Sequence, residues 1–252
     1  MKWEEHRKLY DYKYLMRQNP NADFNEAYSA IAQELIDLFQ PKRVLDCGCA
    51  FGWLVNYLHI KGIDAYGIDI NVTAIEHGQT LYPQIKNKLL SIDLATERIP
   101  FPDKHFDLVV ARELLEHISD DRFFHVVSEI ARVASTHLRI SSPMVRPPND
   151  VRSPEAYNGW VEWLRSLNNN SLHDNIDLID KHPNLKSEYP HPENIEHPNT
   201  HCRTFWIGLF ELIGFESEVA RNEANMILDE SPYRPLRFDN FCGLGILDFK
   251  KS

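Results

Sequence analysis

From Val44 to Gly52 the chain reads Val-Leu-Asp-Cys-Gly-Cys-Ala-Phe-Gly, an apolar run that breaks into a turn carrying Gly48 and Gly52. Glycine lets a backbone approach a ligand closely and adopt dihedrals that a β-carbon forbids. Trp53, Leu54, Tyr57 and Leu58 follow at helical spacing, so the segment reads strand, tight turn, helix. Many nucleotide-binding turns look like this one, and the glycines alone say little. The acids sharpen the case: Asp46, Asp69 and Asp93 stand at three successive predicted strand ends. Asp69 lies 17 residues beyond Gly52, about where an acid accepts both hydroxyl protons of an adenosine ribose. A charged hydrogen bond of that kind is worth roughly 1.5–3 kcal/mol. Farther on, His197 and His201 are four apart. Imidazole has an intrinsic pKa suited to a base near neutral pH.

The elements that must position these residues alternate. A helix is predicted over 24–39 from the spacing of Ala27, Tyr28, Ile31, Leu35, Ile36 and Leu38, with Pro41 ending it. Strands follow at 65–69, 89–93, 106–111 and 137–141, with helices at 72–81 and 121–134 between them. Strand and helix in turn imply a parallel sheet covered on both faces. From Pro143 to Pro198 the regularity fails, and eight prolines punctuate an insertion with one plausible helix at 154–167, which carries Trp160, Trp163, Leu164 and Leu167. Long excursions of this kind are often lids or binding loops. A helix at 203–213, a strand from Phe215 and a last strand from Gly243 to Phe249 suggest an antiparallel hairpin at the sheet edge. The expected fold is α/β: a Rossmann-like, doubly wound, mostly parallel seven-stranded sheet with an antiparallel C-terminal strand and an inserted lid. Residues 1–252 are read as one domain, with 1–40 as a helical cap and 143–200 as the lid.

Bulk properties narrow the function. Hydrophobic residues make up 43% and charged residues 25%, as in ordinary globular proteins. The formal charge of −10 repels a polyanion, and no dense basic run offsets it, so nucleic acid is not an expected partner. No apolar run approaches the ~20 residues of a membrane span. Met1 to Lys8 lack the apolar core of a secretory signal, and a cytoplasmic location is expected. The four cysteines form no CxxC pair and read as reduced thiols. Five histidines, His173, His182, His191, His197 and His201, fall within 29 residues. Their spacings match no compact ligand motif, and Pro198 opposes a continuous helix through the last two, so no metal is expected. Asp107 reads as structural. Asp46 either caps the turn or contacts the ligand.

Several of these stretches resemble a known family. Val44-Leu45-Asp46-Cys47-Gly48-Cys49-Ala50-Phe51-Gly52 is similar to the first motif of class I S-adenosylmethionine-dependent methyltransferases, and Gly67-Ile68-Asp69-Ile70 to the second. Ser91-Ile92-Asp93-Leu94-Ala95, Ile99 through Val109 and Leu115-Glu116-His117-Ile118 resemble the small-molecule subgroup called type 11. The likeness covers about residues 43–134. It implies that Gly48 and its neighbours Cys49, Ala50 and Gly52 contact the methionine portion, that Asp69 takes the ribose, that Asp93 with Leu94 takes the adenine, and that Ile70 belongs to the same cofactor site. It puts Arg112 toward the cofactor or the acceptor. The family commonly has glycine where this chain has Ala50. In the C-terminal part His197 to His201 and Phe205 to Phe215 are similar to the family's histidine, helix and Gly-Phe pattern, with His197 near the acceptor.

The expectation is therefore an enzyme that uses S-adenosylmethionine, releases S-adenosylhomocysteine and methylates a small polar molecule such as a sugar, a nucleotide-linked sugar or a secondary metabolite. Oxygen is preferred to nitrogen as acceptor. Positioning and, for a hydroxyl, a base are what the protein must supply; His197 and His201 are the candidates. Tyr14, Arg112, Glu113, His117 and Trp160 are assigned to the acceptor pocket, although Trp160 and Trp163 could simply anchor the insertion and His117 could be a satisfied helix-start residue. Tyr10, Tyr12 and Tyr14 either close over the sulfonium or form a surface face. A monomer or homodimer is expected. Two readings compete: a nicotinamide-dependent oxidoreductase, opposed by the absence of GxGxxG spacing and of a Tyr-x-x-x-Lys pair, and a binding module without activity, since fold never proves activity.

Overall fold

The structure, a computed structural model, describes residues 3–11, 13, 16, 27–145, 206, 209–211, 213–217 and 241–252. Helix α1 spans Trp3–His6 and is continued by a 3-10 turn, Arg7–Leu9; α2 spans Ala27–Phe39. The alternating body follows as β1 (Arg43–Cys47), α3 (Trp53–Ile60), β2 (Asp64–Asp69), α4 (Val72–Leu81), β3 (Leu89–Ser91), β4 (Phe106–Arg112), α5 (Asp120–Val133) and β5 (Ala134–Val145). β6 (Phe215–Ser217) and β7 (Phe241–Lys251) complete the sheet.

Seven strands lie in the order β3-β2-β1-β4-β5-β7-β6. The first five are parallel, β7 runs antiparallel to β5, and β6 runs antiparallel to β7. Alternation along the buried strands decides which residues face which layer. Val44, Leu108 and Val110 pack with Ala32 and Leu35 of α2 and with Leu54 and Leu58 of α3, whereas Leu45, Val109 and Ala111 pack with Val126 and Ile130 of α5. Asp107, at the opposite rim from the carboxyl ends, accepts the amides of Lys42 and Arg43 at 2.9 Å each and so anchors the start of β1.

Two sequence expectations need correction. β3 ends at Ser91, so Asp93 lies two residues beyond the strand. β5 runs to Val145 instead of stopping near 141, because β7 supplies an antiparallel partner as far as Phe241; Pro143 is accommodated beside a register shift, where the ladder is interrupted. Residues 143–145 therefore belong to the sheet and not to the insertion. Within the segment expected as an N-terminal helical cap, α2 packs Ala32 and Leu35 against a sheet face. The rest of the insertion, residues 146–200 with the helix expected at 154–167, lies outside the described residues.

Candidate functional site

The strand order reverses between β1 and β4, and ligands of open α/β sheets bind outside the carboxyl ends at such a point. The glycine turn leaves β1 there. Gly48 and Cys49 both donate their amides to the Ile68 carbonyl, at 2.9 and 3.1 Å, and Gly52 donates to the Cys49 carbonyl at 2.8 Å. Gly48 and Gly52 have φ of 78° and 80°. A β-carbon at Gly52 would lie 2.7 Å from a Leu89 methyl, so both dihedral and space demand glycine. Ala50 has φ 48°, and the alanine in the position where the family commonly has glycine takes the left-handed conformation despite its methyl.

Asp69 holds the turn in place. One carboxylate oxygen accepts the Ala50 amide at 2.8 Å and the other accepts the Asn71 amide at 2.8 Å. Asn71 in turn caps α4 by accepting the Ala74 amide at 2.9 Å. A carboxylate has about four lone-pair sites, so two amides leave acceptor capacity for ligand hydroxyls. Burial raises the Asp69 pKa, and the two amides, from Asn71 and Ala50, oppose that rise. Asp46, beside it on β1, is buried at 4% exposure. Burial pushes its carboxyl up to about 7, against Arg112 nearby and with the help of the Asp69 charge. Burial also raises the Cys47 and Cys49 thiols well above their usual range, which keeps them protonated.

Asp93, two residues beyond the end of β3, is the third acid of this rim, but its carboxylate is already engaged. It accepts the Trp3 indole N–H at 3.1 Å to each oxygen, the Arg7 guanidinium at 3.0 Å and the Ala95 amide at 3.0 Å. Leu94 is buried, and Ile70 packs against the same apolar cluster.

Across the switch point, Arg112 ends β4 with its guanidinium 5.1 Å from the centre of the Tyr28 ring. Glu113 follows with φ 48°, its amide bonded to the Ser141 carbonyl at 2.9 Å and its carboxylate accepting the Ser141 hydroxyl at 3.2 Å. Leu114 would be the nearest contact of a β-carbon at Gly48, 3.3 Å away, which brings this loop against the turn. Glu116 is fully buried, and burial with the like charge of Glu113 raises its pKa well above the ordinary carboxylate value. His117 stacks edge to face on Tyr10 at 4.9 Å, with its Nδ1 3.2 Å from the Tyr10 hydroxyl.

The structure thus brings Asp46, Gly48, Cys49, Ala50, Gly52, Asp69, Ile70, Asp93, Leu94, Arg112, Glu113 and His117 to one rim. His197, His201, Trp160 and Tyr14 lie outside the described residues. Sequence reasoning passed over Trp3, Arg7, Tyr28 and Asn71. Only Asn71 carried a local signal, an Asn just before a helix, which is a favoured N-cap. Among the described residues, no group of His, Cys, Asp and Glu could hold a metal ion, and no helix is long and apolar enough to cross a membrane.

The comparisons with known proteins fall on this same region. Residues 45–137 match a family described as "Methyltransferase domain". A probable tocopherol O-methyltransferase, chloroplastic, of Oryza sativa subsp. japonica is 41% identical over 105 residues, which are 40% of this chain and 28% of that protein. A ubiquinone biosynthesis O-methyltransferase of Bordetella avium is 32% identical over 93 residues, 35% of this chain and 37% of that protein. The chain thus spans between about a quarter and two fifths of these relatives' lengths. The crystal structure of magnesium protoporphyrin IX methyltransferase from Synechocystis, with bound SAH, shares the fold at TM-score 0.51 and 15% identity, covering 90% of this chain and 83% of that one.

Proposed function

We propose that this chain, whose residues 45–137 match a methyltransferase domain, is a class I S-adenosylmethionine-dependent methyltransferase and that it methylates a small polar acceptor, at oxygen. The observation that carries the proposal is the pair of bonds by which Asp69 holds the Ala50 amide of the glycine turn and the Asn71 amide. They aim a carboxylate with spare acceptor capacity along the edge of a turn whose glycines leave the backbone bare. Those features fit the adenosyl cofactor. Asp69 would receive the ribose hydroxyls, the backbone of Gly48, Cys49, Ala50 and Gly52 would line the methionine portion, and Ile70, Asp93 and Leu94 would flank the adenine.

Bound there, S-adenosylmethionine would supply an electrophilic methyl: an acceptor oxygen would bond to that carbon as its bond to the cationic sulfur breaks, and the sulfur would leave as the thioether of S-adenosylhomocysteine. The chain's own task is orientation and removal of one proton from the acceptor hydroxyl. Arg112, Glu113 and His117 stand on the acceptor side of the turn, and Tyr14 and Trp160 are proposed to join them. His197 and His201 remain the proposed bases. Oxygen is favoured because two relatives are named as O-methyltransferases, one for tocopherol and one in ubiquinone biosynthesis. A small-molecule acceptor and a cytoplasmic setting belong to the same proposal, as does residues 146–200 lying over the acceptor side.

The test is incubation of the purified protein with cofactor carrying a labelled methyl and a metabolite extract, followed by mass spectrometry for products heavier by one methyl. Labelled products that fall sharply in Asp69→Ala at cofactor concentrations below saturation are expected. A protein that ignores S-adenosylmethionine at millimolar concentration in calorimetry sinks the proposal. Full turnover in both His197→Ala and His201→Ala would remove the histidines from it.

A further inference from the structure

Asp93 is the carboxylate that the proposed function assigns to the adenine, and the N-terminal segment holds it first. The Trp3 indole N–H is shared between its two oxygens at 3.1 Å each, and Arg7 donates to one of them at 3.0 Å. With the Ala95 amide at 3.0 Å, three donors converge on a group with about four acceptor sites. Trp3 is 4% exposed. It shares a buried cluster with Leu94, Ala95 and Ile118, against which Ile70 and Ile92 pack. Ile70, Ile92, Leu94 and Ala95 follow the ends of β2 and β3, where the proposed function puts the adenine, and Ile118 comes from the loop after β4. An indole is a planar fused bicycle that offers an N–H at its edge; an adenine is also a planar fused bicycle with an N–H donor at its edge. Two further contacts fasten the segment over the rim: Asn71 donates its side-chain amide to the Tyr10 carbonyl at 3.1 Å, and the Tyr10 ring and hydroxyl meet His117.

We propose that residues 3–10 form a self-blocking strap in which Trp3 takes the place of the adenine on Asp93, so that cofactor binding requires Trp3 to withdraw. The inference rests on the proposed function. Its physical basis is competition for one carboxylate and one apolar slot. The strap can leave because it is built of a four-residue helix and a three-residue turn, too short to persist alone, and the Arg7 side chain is 43% exposed. A protein whose competent form is only a fraction of the population binds its ligand with an affinity reduced by that fraction.

Calorimetry with S-adenosylhomocysteine on the full chain, on Trp3→Ala and on Arg7→Gln tests it, together with amide hydrogen exchange of the unaltered protein. Tighter binding by about three- to tenfold in Trp3→Ala and about twofold in Arg7→Gln is expected from removal of the closed state. Exchange at residues 3–10 should speed up when the ligand is added. Unchanged or weaker binding in the variants, or slower exchange at 3–10, overturns the strap and makes the segment a cover over bound cofactor instead. Should Trp3→Ala lose its far-ultraviolet dichroism, Arg7→Gln and the exchange of the unaltered protein decide the matter. Absence of binding by the unaltered chain would strike down the proposed function itself, and the strap with it, which separates that failure from a failure of the strap alone.

Discussion

A single carboxylate, Asp69, links the glycine turn to the next helix by accepting one amide from each. Asp69→Ala strands both amides and removes the acceptor proposed for the ribose, so cofactor affinity should drop by about ten- to a hundredfold, readable by calorimetry. Asp46 differs in kind. Burial raises its pKa from 3.8 to about 7, so between those values the folded protein keeps a proton that the unfolded chain has released. Its contribution to stability is complete below about pH 4 and is lost as pH rises toward about 7, at most about 4 kcal/mol at roughly 1.4 kcal/mol per pH unit. Asp46→Asn should accordingly flatten the decline in urea midpoint between about pH 4 and pH 7; an unaltered decline refutes that account. At Ala50 the left-handed backbone costs about 1–2 kcal/mol. Glycine there relieves it but gives back about 0.4–1 kcal/mol through the freer unfolded chain. Ala50→Gly should therefore stabilise the protein by about 0.5–1 kcal/mol, seen as a higher melting temperature.

Between elements, the contact that matters most to the site is that of α4 with the turn. A β-carbon on Gly78 would lie 2.2 Å from the Phe51 carbonyl oxygen, a backbone atom that cannot swing away. Alanine is ordinarily preferred to glycine inside a helix by about 1 kcal/mol. Here the clash should outweigh that preference, since overpacking of a tight interior costs about 1–3 kcal/mol. Gly78→Ala is expected to lower stability and to weaken cofactor binding together, because the helix can move only by pushing Phe51 and hence the turn. A stable variant with undiminished affinity would show the contact to be soft. On the other side of the sheet, Arg132 of α5 pairs with Glu129 and donates to the carbonyls of Ile99 and Phe101, holding the segment before β4 against the helix.

For the molecule as a whole, the late strands are fastened to the parallel core by Arg139. Its guanidinium on β5 pairs with Asp248 of β7 at 2.7 and 2.8 Å and with Glu34 of α2 at 2.8 Å. The arginine is buried at 5% exposure, whereas its partners are partly open to solvent. Loss of one partner of a buried pair costs about 3–5 kcal/mol, and the remaining Glu34 contact reduces that here to about 2–3 kcal/mol. Asp248→Ala should lower the urea midpoint accordingly with the slope of the transition kept, as for a cooperative domain. Cofactor affinity should hold, since the pair sits midway along the strands and not at their carboxyl ends.

The chain itself wrote out the order of strands and helices from β1 to β5, the glycine turn and the three acids, because apolar period and turn chemistry are local properties. The terminal hairpin was legible too, from the closing order of helix, strand, connection and strand. The tertiary structure alone decided which acid does what. Asp69 and not Asp46 grips the turn, and Asp93 faces an indole 90 residues away in sequence, which no spacing rule could foretell. Pairing with β7 carried β5 past Pro143, where local propensity argued for a stop. The proton affinity of Asp46 likewise arose from burial, a property that exists only once strands from distant parts of the chain have closed around it.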